Sequence, residues 1–322
     1  MKVENKPVIF MLMSTLSLSV TGLLAKQLSD DLSVTLFSFL RFFTPALILL
    51  VMLRFKNLTL PTGKTFKPIL LRAFCIGMCQ LCFIASLQTL TLVEGVVLFA
   101  TGPLFMPIVE KLFMRGQIRM STIVALVMAF TGVILLAGAD GEFTWRVDLL
   151  LGLAGGLFNS GSQLTLYKAS KSDLSPLEIN FWTFGCAALL ILPLMLFNDT
   201  SVLLHSLSLH AFETPNTLLV FLMSLLIINT QVFRSKAYQL ASSGSQLAPL
   251  IFTNLLFTAV WQWAFFDDQM SHRQIFGISL IVLATILNTC WVRFSAVDTF
   301  KAKDGVIKIT LKKRQRESAV FI

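Results

Sequence analysis

The sequence predicts an all-α polytopic membrane protein with ten transmembrane helices, arranged as an inverted repeat of five plus five. Three observations predict this class: an apolar composition, ten apolar windows of helical length, and a long internal repeat. Of the 322 residues, 55% are hydrophobic and only 13% are charged, whereas a soluble domain is about a quarter charged. The charged residues also lie in short patches between long apolar runs, so we exclude a soluble globular fold.

Each of the ten windows is long enough to cross the hydrocarbon core of a bilayer as a helix. A closed barrel would instead need segments of about 10 residues with alternating polarity, which these windows lack. The first window follows Lys2 and Lys6 but lacks the small-residue cleavage site of a signal peptide, so we expect it to be retained. The windows are 8–28, 33–53, 68–89, 92–112, 120–138, 147–169, 175–197, 216–238, 244–265 and 273–293.

Two segments share one pattern: a polar elbow, a proline-containing apolar span, a polar cap and a second apolar span. They are 88–136 and 238–287. Because each copy belongs to a half with five spans, an odd number, the second half must enter the membrane from the opposite side. The repeat is therefore inverted, and a substrate site is expected near the midplane between the halves. We expect two five-helix halves, 1–140 and 141–294, and a basic cytoplasmic tail, 295–322.

Lysine and arginine set the predicted orientation. With the N-terminus inside, 22 of the 26 basic residues fall on the cytoplasmic side, including Arg72 and Arg234 near the inner ends of their spans. Two more fall outside, and Lys26 and Arg41 lie within spans. We therefore expect both termini in the cytoplasm and, because the loops are compact, a bacterial inner membrane. The net charge of +9 then reflects topology and attraction to membrane lipids, not binding of nucleic acid.

The fourth and ninth spans contain prolines at matching positions of the repeat. Pro103 and Pro107 follow Thr101 in the fourth span, and Pro249 precedes Asn254 in the ninth. Proline removes a backbone donor and frees a carbonyl, which is tolerated where a helix lines a cavity. Paired interruptions in the two halves are the sequence feature that points most directly to a transport site.

Arg41 lies about eight residues into the second span. A cation in mid-span costs about 2.5–3.5 kcal/mol on insertion scales, so its side chain should face protein or water. It is a candidate clamp for a substrate carboxylate or phosphate. The alternatives are a structural partner for a carbonyl or an acid, and a snorkelling side chain. The matching residue of the second half is Thr183, so only one half carries this charge.

Uncharged polar residues are concentrated in the third, sixth, eighth and ninth spans. Such residues line cavities, but they also join helices to one another in membranes, so we expect both roles. The predicted substrate-binding residues are Arg41, Gln80, Thr101, Asn159, Gln163, Asn229, Gln246 and Asn254.

Three charged residues are candidates for gating or coupling. Lys26 and Lys168 end the first and sixth spans, which correspond in the repeat; they are either gate residues or ordinary partners of helix dipoles and lipid headgroups. Glu94, at the elbow before the fourth span, could carry a coupling proton if its carboxylate is desolvated.

Cys75, Cys79 and Cys82 have a spacing that radical-SAM enzymes use for an iron–sulfur cluster, but here they lie inside an apolar span. Packing is therefore the better interpretation, and we expect no metal and no cofactor. The sequence has no phosphate-cradling glycine loop and no nucleophile triad. An integral-membrane enzyme acting on a lipid-linked substrate would need acids or histidines clustered at one membrane face, whereas here they are scattered, so we expect no enzyme.

The order Val93-Glu94-Gly95, Pro103-Leu104-Phe105, Gly116-Gln117-Ile118, with ten spans in two inverted halves, resembles the drug/metabolite transporter superfamily, specifically tandem EamA-type domains. The resemblance covers essentially the whole chain. In that family the cap reads Gly-Glu, whereas both copies here carry glutamine, Gln117 and Gln269. A mechanism that uses cap glutamates is therefore not expected.

The resemblance implies a secondary transporter that moves a small organic metabolite, amino-acid-like or related, by alternating access. Nothing in the chain binds ATP, so a proton gradient or exchange would supply the energy. Export is the first expectation, with an uptake permease or an exchanger as the alternatives. The functional unit would be a monomer or a homodimer.

Overall fold

The computed structural model of the chain is a bundle of helices, with no strand in the residues that it describes. These residues are 6–29, 31–53, 59–102, 104–106, 108–109, 120–137, 146–198, 215–240, 247, 250–251, 253–266, 271–273, 275–284 and 286–287.

Ten helices lie in these ranges, one within each predicted window, and they confirm the predicted fold class. They are α1 (Lys6–Ser29), α2 (Val34–Met52), α3 (Gly63–Leu87), α4 (Leu92–Phe99), α5 (Met120–Ala137), α6 (Val147–Ser170), α7 (Pro176–Asn198), α8 (Pro215–Leu240), α9 (Thr253–Phe265) and α10 (Ile275–Ala284). Within the described ranges, α1, α2, α3, α7 and α8 are each long and apolar enough to cross a membrane. Large exposed apolar side chains such as Val51, Phe197 and Leu218 supply the surface that lipid covers. The chain is therefore a multi-pass membrane protein.

Matching helices of the two halves begin in the same way. The Ser33 hydroxyl accepts a hydrogen bond from the Leu36 amide at the start of α2, and the Ser175 hydroxyl accepts one from the Glu178 amide at the start of α7. In α7 the Glu178 carboxylate also accepts from the Ser175 amide at 2.8 Å. These N-caps pair amides that a helix leaves unbonded, a requirement that is stricter in lipid than in water.

The packing of the helices follows the repeat. The most extensive interfaces join α3 to α6 and α1 to α8. In the repeat α1 corresponds to α6 and α3 corresponds to α8, so each of these interfaces is the counterpart of the other. The next most extensive joins α2 to its own counterpart, α7, and α4 likewise contacts α9. This is the pattern expected for two interlocked halves related by a pseudo-two-fold axis in the membrane plane.

Small residues let α6 approach α4 closely. A Cβ atom built on Gly156 would lie 2.8 Å from the Leu98 carbonyl oxygen, and one on Gly152 would lie 2.6 Å from Leu98 Cδ1. One turn further, the Ser160 hydroxyl donates to the Gly102 carbonyl at 2.6 Å. Close backbone approach through small residues is a usual device of helix packing in membranes, and here it fixes α6 against the end of α4.

The span that begins with α4 is interrupted where the proline pattern predicts a kink. The α4 helix ends at Phe99, although the predicted window continues to residue 112, and the chain turns at Ala100 and Thr101. Pro103, Pro107 and Pro249 themselves lie outside the described residues.

Candidate functional site

A small central cavity of about 20 Å³ lies between α1, α2, α3, α7 and α8. Apolar side chains make most of its wall, and a few polar groups converge on it. This composition is typical of small-molecule sites. The lining residues are Leu18, Thr21, Arg41, Phe42, Ile76, Gln80, Phe184, Ile227, Thr230 and Gln231.

A second small cavity, of about 20 Å³, lies next to the first and extends toward α4 and α9. Both cavities are lined by Leu18 and Arg41. The second cavity is also lined by Gly22, Phe83, Val96, Phe99 and Asn254. Arg41 therefore lies where the two cavities meet, on helix α2, which contacts its own repeat counterpart.

Several polar atoms around these cavities lack a hydrogen-bond partner among the described residues. Arg41 is only 4% exposed, yet its Nη1 has no acceptor. Gln80 Oε1 and Thr230 Oγ1 in the first cavity, and Asn254 Oδ1 in the second, likewise have no donor. Leaving a buried polar group unpaired costs about 1–3 kcal/mol, and most such groups are paired. Four of them around adjoining cavities indicate a surface prepared for a polar ligand.

Arg72 and Arg234, which the orientation argument counted on the cytoplasmic side, are both enclosed by the helices, and the orientation itself stays a prediction. Arg72 is 0% exposed and Arg234 is 3% exposed, so both lie inside the bundle. The physical reason is that α7 and α8 turn amide and hydroxyl groups toward α3, which makes an interior position possible for a cation. The sequence contained a signal for them, because both residues fall inside apolar windows where a cation should face protein.

The Arg72 guanidinium is held by three side chains. Its Nη1 donates to Thr183 Oγ1 at 3.4 Å, and its Nη2 donates to Asn180 Oδ1 and to Gln231 Oε1, each at 3.1 Å. The Asn180 amide in turn donates to Ser235 Oγ at 3.2 Å. This network joins α3, α7 and α8, so Arg72 holds together helices that enclose the first cavity.

Arg234 lies on α8 one turn beyond Gln231, whose side chain binds Arg72. The Nε and Nη2 atoms of Arg234 have no acceptor within the described part of the chain. Among the acids that the structure describes, only Glu94 and Glu178 are buried, and both bind backbone amides at helix N-termini. The described interior therefore carries three arginines, Arg41 included, without a carboxylate partner.

Three predicted substrate-binding residues line the cavities: Arg41, Gln80 and Asn254. Asn159 and Gln163 lie elsewhere, in a chain of hydrogen bonds in which Tyr238 Oη donates to Gln163 Oε1 at 3.1 Å and Gln163 Nε2 donates to Asn159 Oδ1 at 3.2 Å. This chain joins α6 to α8.

Of the other predicted substrate-binding residues, Asn229 joins two helices, Thr101 makes a local bond, and Gln246 lies outside the described residues. Asn229 Nδ2 donates to Ser17 Oγ at 2.7 Å, and the Thr101 hydroxyl donates to the Leu98 carbonyl at 2.6 Å. Neither described cavity includes Asn229 or Thr101 in its wall.

The candidates for gating have the following surroundings. Lys26 Nζ donates to the Leu87 carbonyl at 2.7 Å, which ties the end of α1 to the end of α3. Glu94 forms a capping box with Thr91 at the start of α4. Lys168 is exposed near the end of α6. Their roles in gating or coupling stay predictions.

The three cysteines of α3 lie at its interface with α6. Cys75, Cys79 and Cys82 are all buried, and a Cβ atom built on Gly161 would lie 2.8 Å from Cys75 Sγ. Their small side chains thus allow close packing against glycines of α6. Within the described ranges, no group of three or more His, Cys, Asp or Glu side chains is placed to hold a metal ion.

Two tandem segments of the chain, 5–138 and 148–290, match the EamA-like transporter family, so the chain belongs to that family. An uncharacterized transporter of Helicobacter pylori is 22% identical over 278 residues, which cover 86% of this chain and 92% of that protein. A pseudopaline exporter of Pseudomonas aeruginosa is 23% identical over 284 residues, which cover 87% of this chain and 94% of that protein. A protein of known crystal structure superposes with a TM-score of 0.58 at 12% identity, covering 89% of this chain and 98% of that chain.

The membership and the transporter relatives identify the chain as a transporter of small molecules. They indicate a membrane transporter and not an enzyme. The likeness in three dimensions to a known structure concerns the fold alone.

Proposed function

We propose that this protein is a secondary transporter that exports a small organic metabolite, amino-acid-like or related, across a bacterial inner membrane. The observation that carries the proposal is the pair of cavities that meet at Arg41, with unpartnered polar atoms on their walls. The exporter named among the relatives supports the direction. An uptake permease or an exchanger is the alternative outcome of the test below.

The arrangement of the cavities suggests how alternating access would work. Both cavities include Arg41, and the second extends toward the interrupted α4 span and α9. Rocking of one half against the other would open one cavity while closing the other, as in other inverted-repeat carriers. Arg41 would stay in contact with an anionic group of the substrate, while Gln80, Thr230 and Asn254 would supply hydrogen bonds from either side.

The remaining expectations form part of the same proposal. Residues 1–140 and 141–294 would move as the two halves, and 295–322 would be a basic tail near anionic lipid. Both termini would lie in the cytoplasm, with a monomer or a homodimer as the functional unit. Energy would come from a proton gradient or from exchange.

The test is an untargeted flux measurement in inverted membrane vesicles that contain the full chain. Vesicles are incubated with a metabolite extract, and accumulated compounds are compared with vesicles lacking the protein. Export predicts specific accumulation in inverted vesicles, whereas uptake predicts it in right-side-out vesicles. The absence of any protein-dependent accumulation in both preparations would contradict the proposal.

A further inference from the structure

The interior described above holds more positive charge than one anion-binding residue would need. Arg41, Arg72 and Arg234 are buried, and each has at least one donor nitrogen without an acceptor among the described residues. Buried charges are normally paired, because desolvating an ion without a partner is costly. A ligand that carries negative charge would supply the missing partners.

Gln231 connects the first cavity to the other two arginines. Its side chain lines the cavity, and its Oε1 accepts from Arg72 Nη2 at 3.1 Å. Arg234 lies one turn further along α8, and its Nε and Nη2 have no acceptor among the described residues. The amide oxygen of Gln231 thus occupies a position that an anionic oxygen could take, in contact with one guanidinium and near a second.

The two arginine sites are close but separate. Arg41 reaches the first cavity from α2, whereas Arg72 and Arg234 are on α3 and α8. Arg41 and Gln231 both line that cavity, and Gln231 binds Arg72. One molecule in the cavity could therefore place one anionic group at Arg41 and a second at the position of the Gln231 amide oxygen.

We propose that Arg72 and Arg234 form a second anion-binding site, covered by Gln231, and that the transported metabolite carries two anionic groups. One group binds Arg41 and the other replaces the Gln231 amide oxygen at the pair. Arginine suits this role because its planar fork binds carboxylate or phosphate through two parallel hydrogen bonds. The assignment of the substrate class rests on the transport function proposed above.

The first test places the anion on the protein itself. In Gln231→Glu, a carboxylate is tethered where the ligand group is expected, so it should pair with both arginines. We expect the thermal unfolding midpoint of the purified full-length protein in detergent to rise by several degrees. The control is Gln262→Glu, at a buried glutamine whose Oε1 accepts from the Val93 amide at 3.3 Å; its midpoint should fall. A fall in Gln231→Glu like that of the control would overturn the second site.

The second test measures the charge of the cargo. Proteoliposomes with the full chain are incubated with a metabolite extract, and the accumulated compounds are identified by mass spectrometry. We expect compounds with two or more anionic groups at neutral pH, and at least tenfold less of them with Arg234→Gln. Arg146→Gln, which removes a peripheral arginine paired with Asp148 at 2.7 Å, is the matched control and should retain accumulation.

The two failures are distinguishable. Accumulation of neutral, cationic or singly anionic compounds would overturn the two-anion substrate class and leave the transport function standing. An equal loss in Arg146→Gln and Arg234→Gln would overturn the role of the pair. If no compound accumulates, the transport function itself fails, while the Gln231→Glu unfolding midpoint still decides whether the second site exists.

Discussion

Arg41 and Arg72 are buried arginines on neighbouring helices, but the protein binds them differently. Arg72 Nη1 and Nη2 donate to Thr183, Asn180 and Gln231, and only its Nε has no acceptor among the described residues. Arg41 lines two cavities, and its Nη1 has no acceptor among the same residues. Burial alone therefore does not tell a cation that joins helices from one that does not, whereas its hydrogen-bond partners do.

The repeat makes the comparison sharper. Thr183 is the residue that matches Arg41 in the second half, and its hydroxyl accepts from Arg72. At this position of the repeat, the first half carries Arg41, which lines the cavity. The second half carries Thr183, which binds Arg72. A symmetric scaffold can alternate between two states, and in the proposed function the asymmetry at this position would set what the cavity binds.

The largest expected effect on stability belongs to Arg72. In Arg72→Gln the three acceptors lose their common donor, and a buried acceptor left unpaired costs about 1–3 kcal/mol. Removal of the buried positive charge offsets part of this cost, so we expect the free energy of unfolding, measured by SDS titration in mixed micelles, to fall by about 3 kcal/mol. A loss below about 1 kcal/mol would show that the network does not hold α3, α7 and α8 together.

A purely steric change should give an intermediate effect. In Gly156→Ala the new methyl group would lie 2.8 Å from the Leu98 carbonyl oxygen, so α6 and α4 must separate, at a cost of about 1–3 kcal/mol. The matched control is Gly185→Ala in α7, where a Cβ atom meets nothing within 4 Å. Equal unfolding energies for the two variants would contradict the close approach of α6 to α4.

A smaller effect is expected where only one partner of Arg72 is removed. Thr183→Val takes away the 3.4 Å acceptor of Arg72 Nη1 and the bond that the Thr183 hydroxyl donates to the Ile179 carbonyl at 2.7 Å, and it leaves the other two partners of Arg72. We expect a loss of about 0.5–1.5 kcal/mol in the free energy of unfolding, measured in the same titration. A loss as large as that of Arg72→Gln would mean that Thr183, and not the two amides, is the main partner.

The smallest effect on stability belongs to Arg41. Because its Nη1 has no partner to lose, Arg41→Gln removes a buried charge without breaking a described hydrogen bond. The unfolding energy should stay unchanged or rise. A fall of about 3 kcal/mol or more would place Arg41 in the same structural class as Arg72.

The fold could be predicted from the sequence because lipid imposes a simple rule: each crossing needs a long apolar helix. The repeat predicted that the two halves are inverted copies of one another. The capping serines Ser33 and Ser175 begin matching helices of the two halves. Arg41 could be identified from the sequence as a candidate site residue because a cation in mid-span must face protein or water and not lipid.

The site could be predicted only in part because hydropathy does not specify which side of a helix meets which neighbour. Asn159, Gln163 and Asn229 look like cavity residues by polarity, but they bond helices to one another. Arg72 and Arg234 lie near the ends of their spans, where a long side chain can snorkel to the surface. Their inward position depends on the amides of α7 and α8, which local sequence does not reveal.

The most direct test of the account is the transport rate of Arg41→Gln, measured per folded protein in inverted vesicles with the compounds that the unsubstituted chain accumulates. Loss of a charged hydrogen-bond partner is worth about 1.5–3 kcal/mol, or roughly 10–100-fold in rate or affinity. We expect at least a tenfold loss of flux with unchanged stability, and normal flux in Arg146→Gln. Unchanged flux in Arg41→Gln would remove Arg41 from the substrate site and contradict the account.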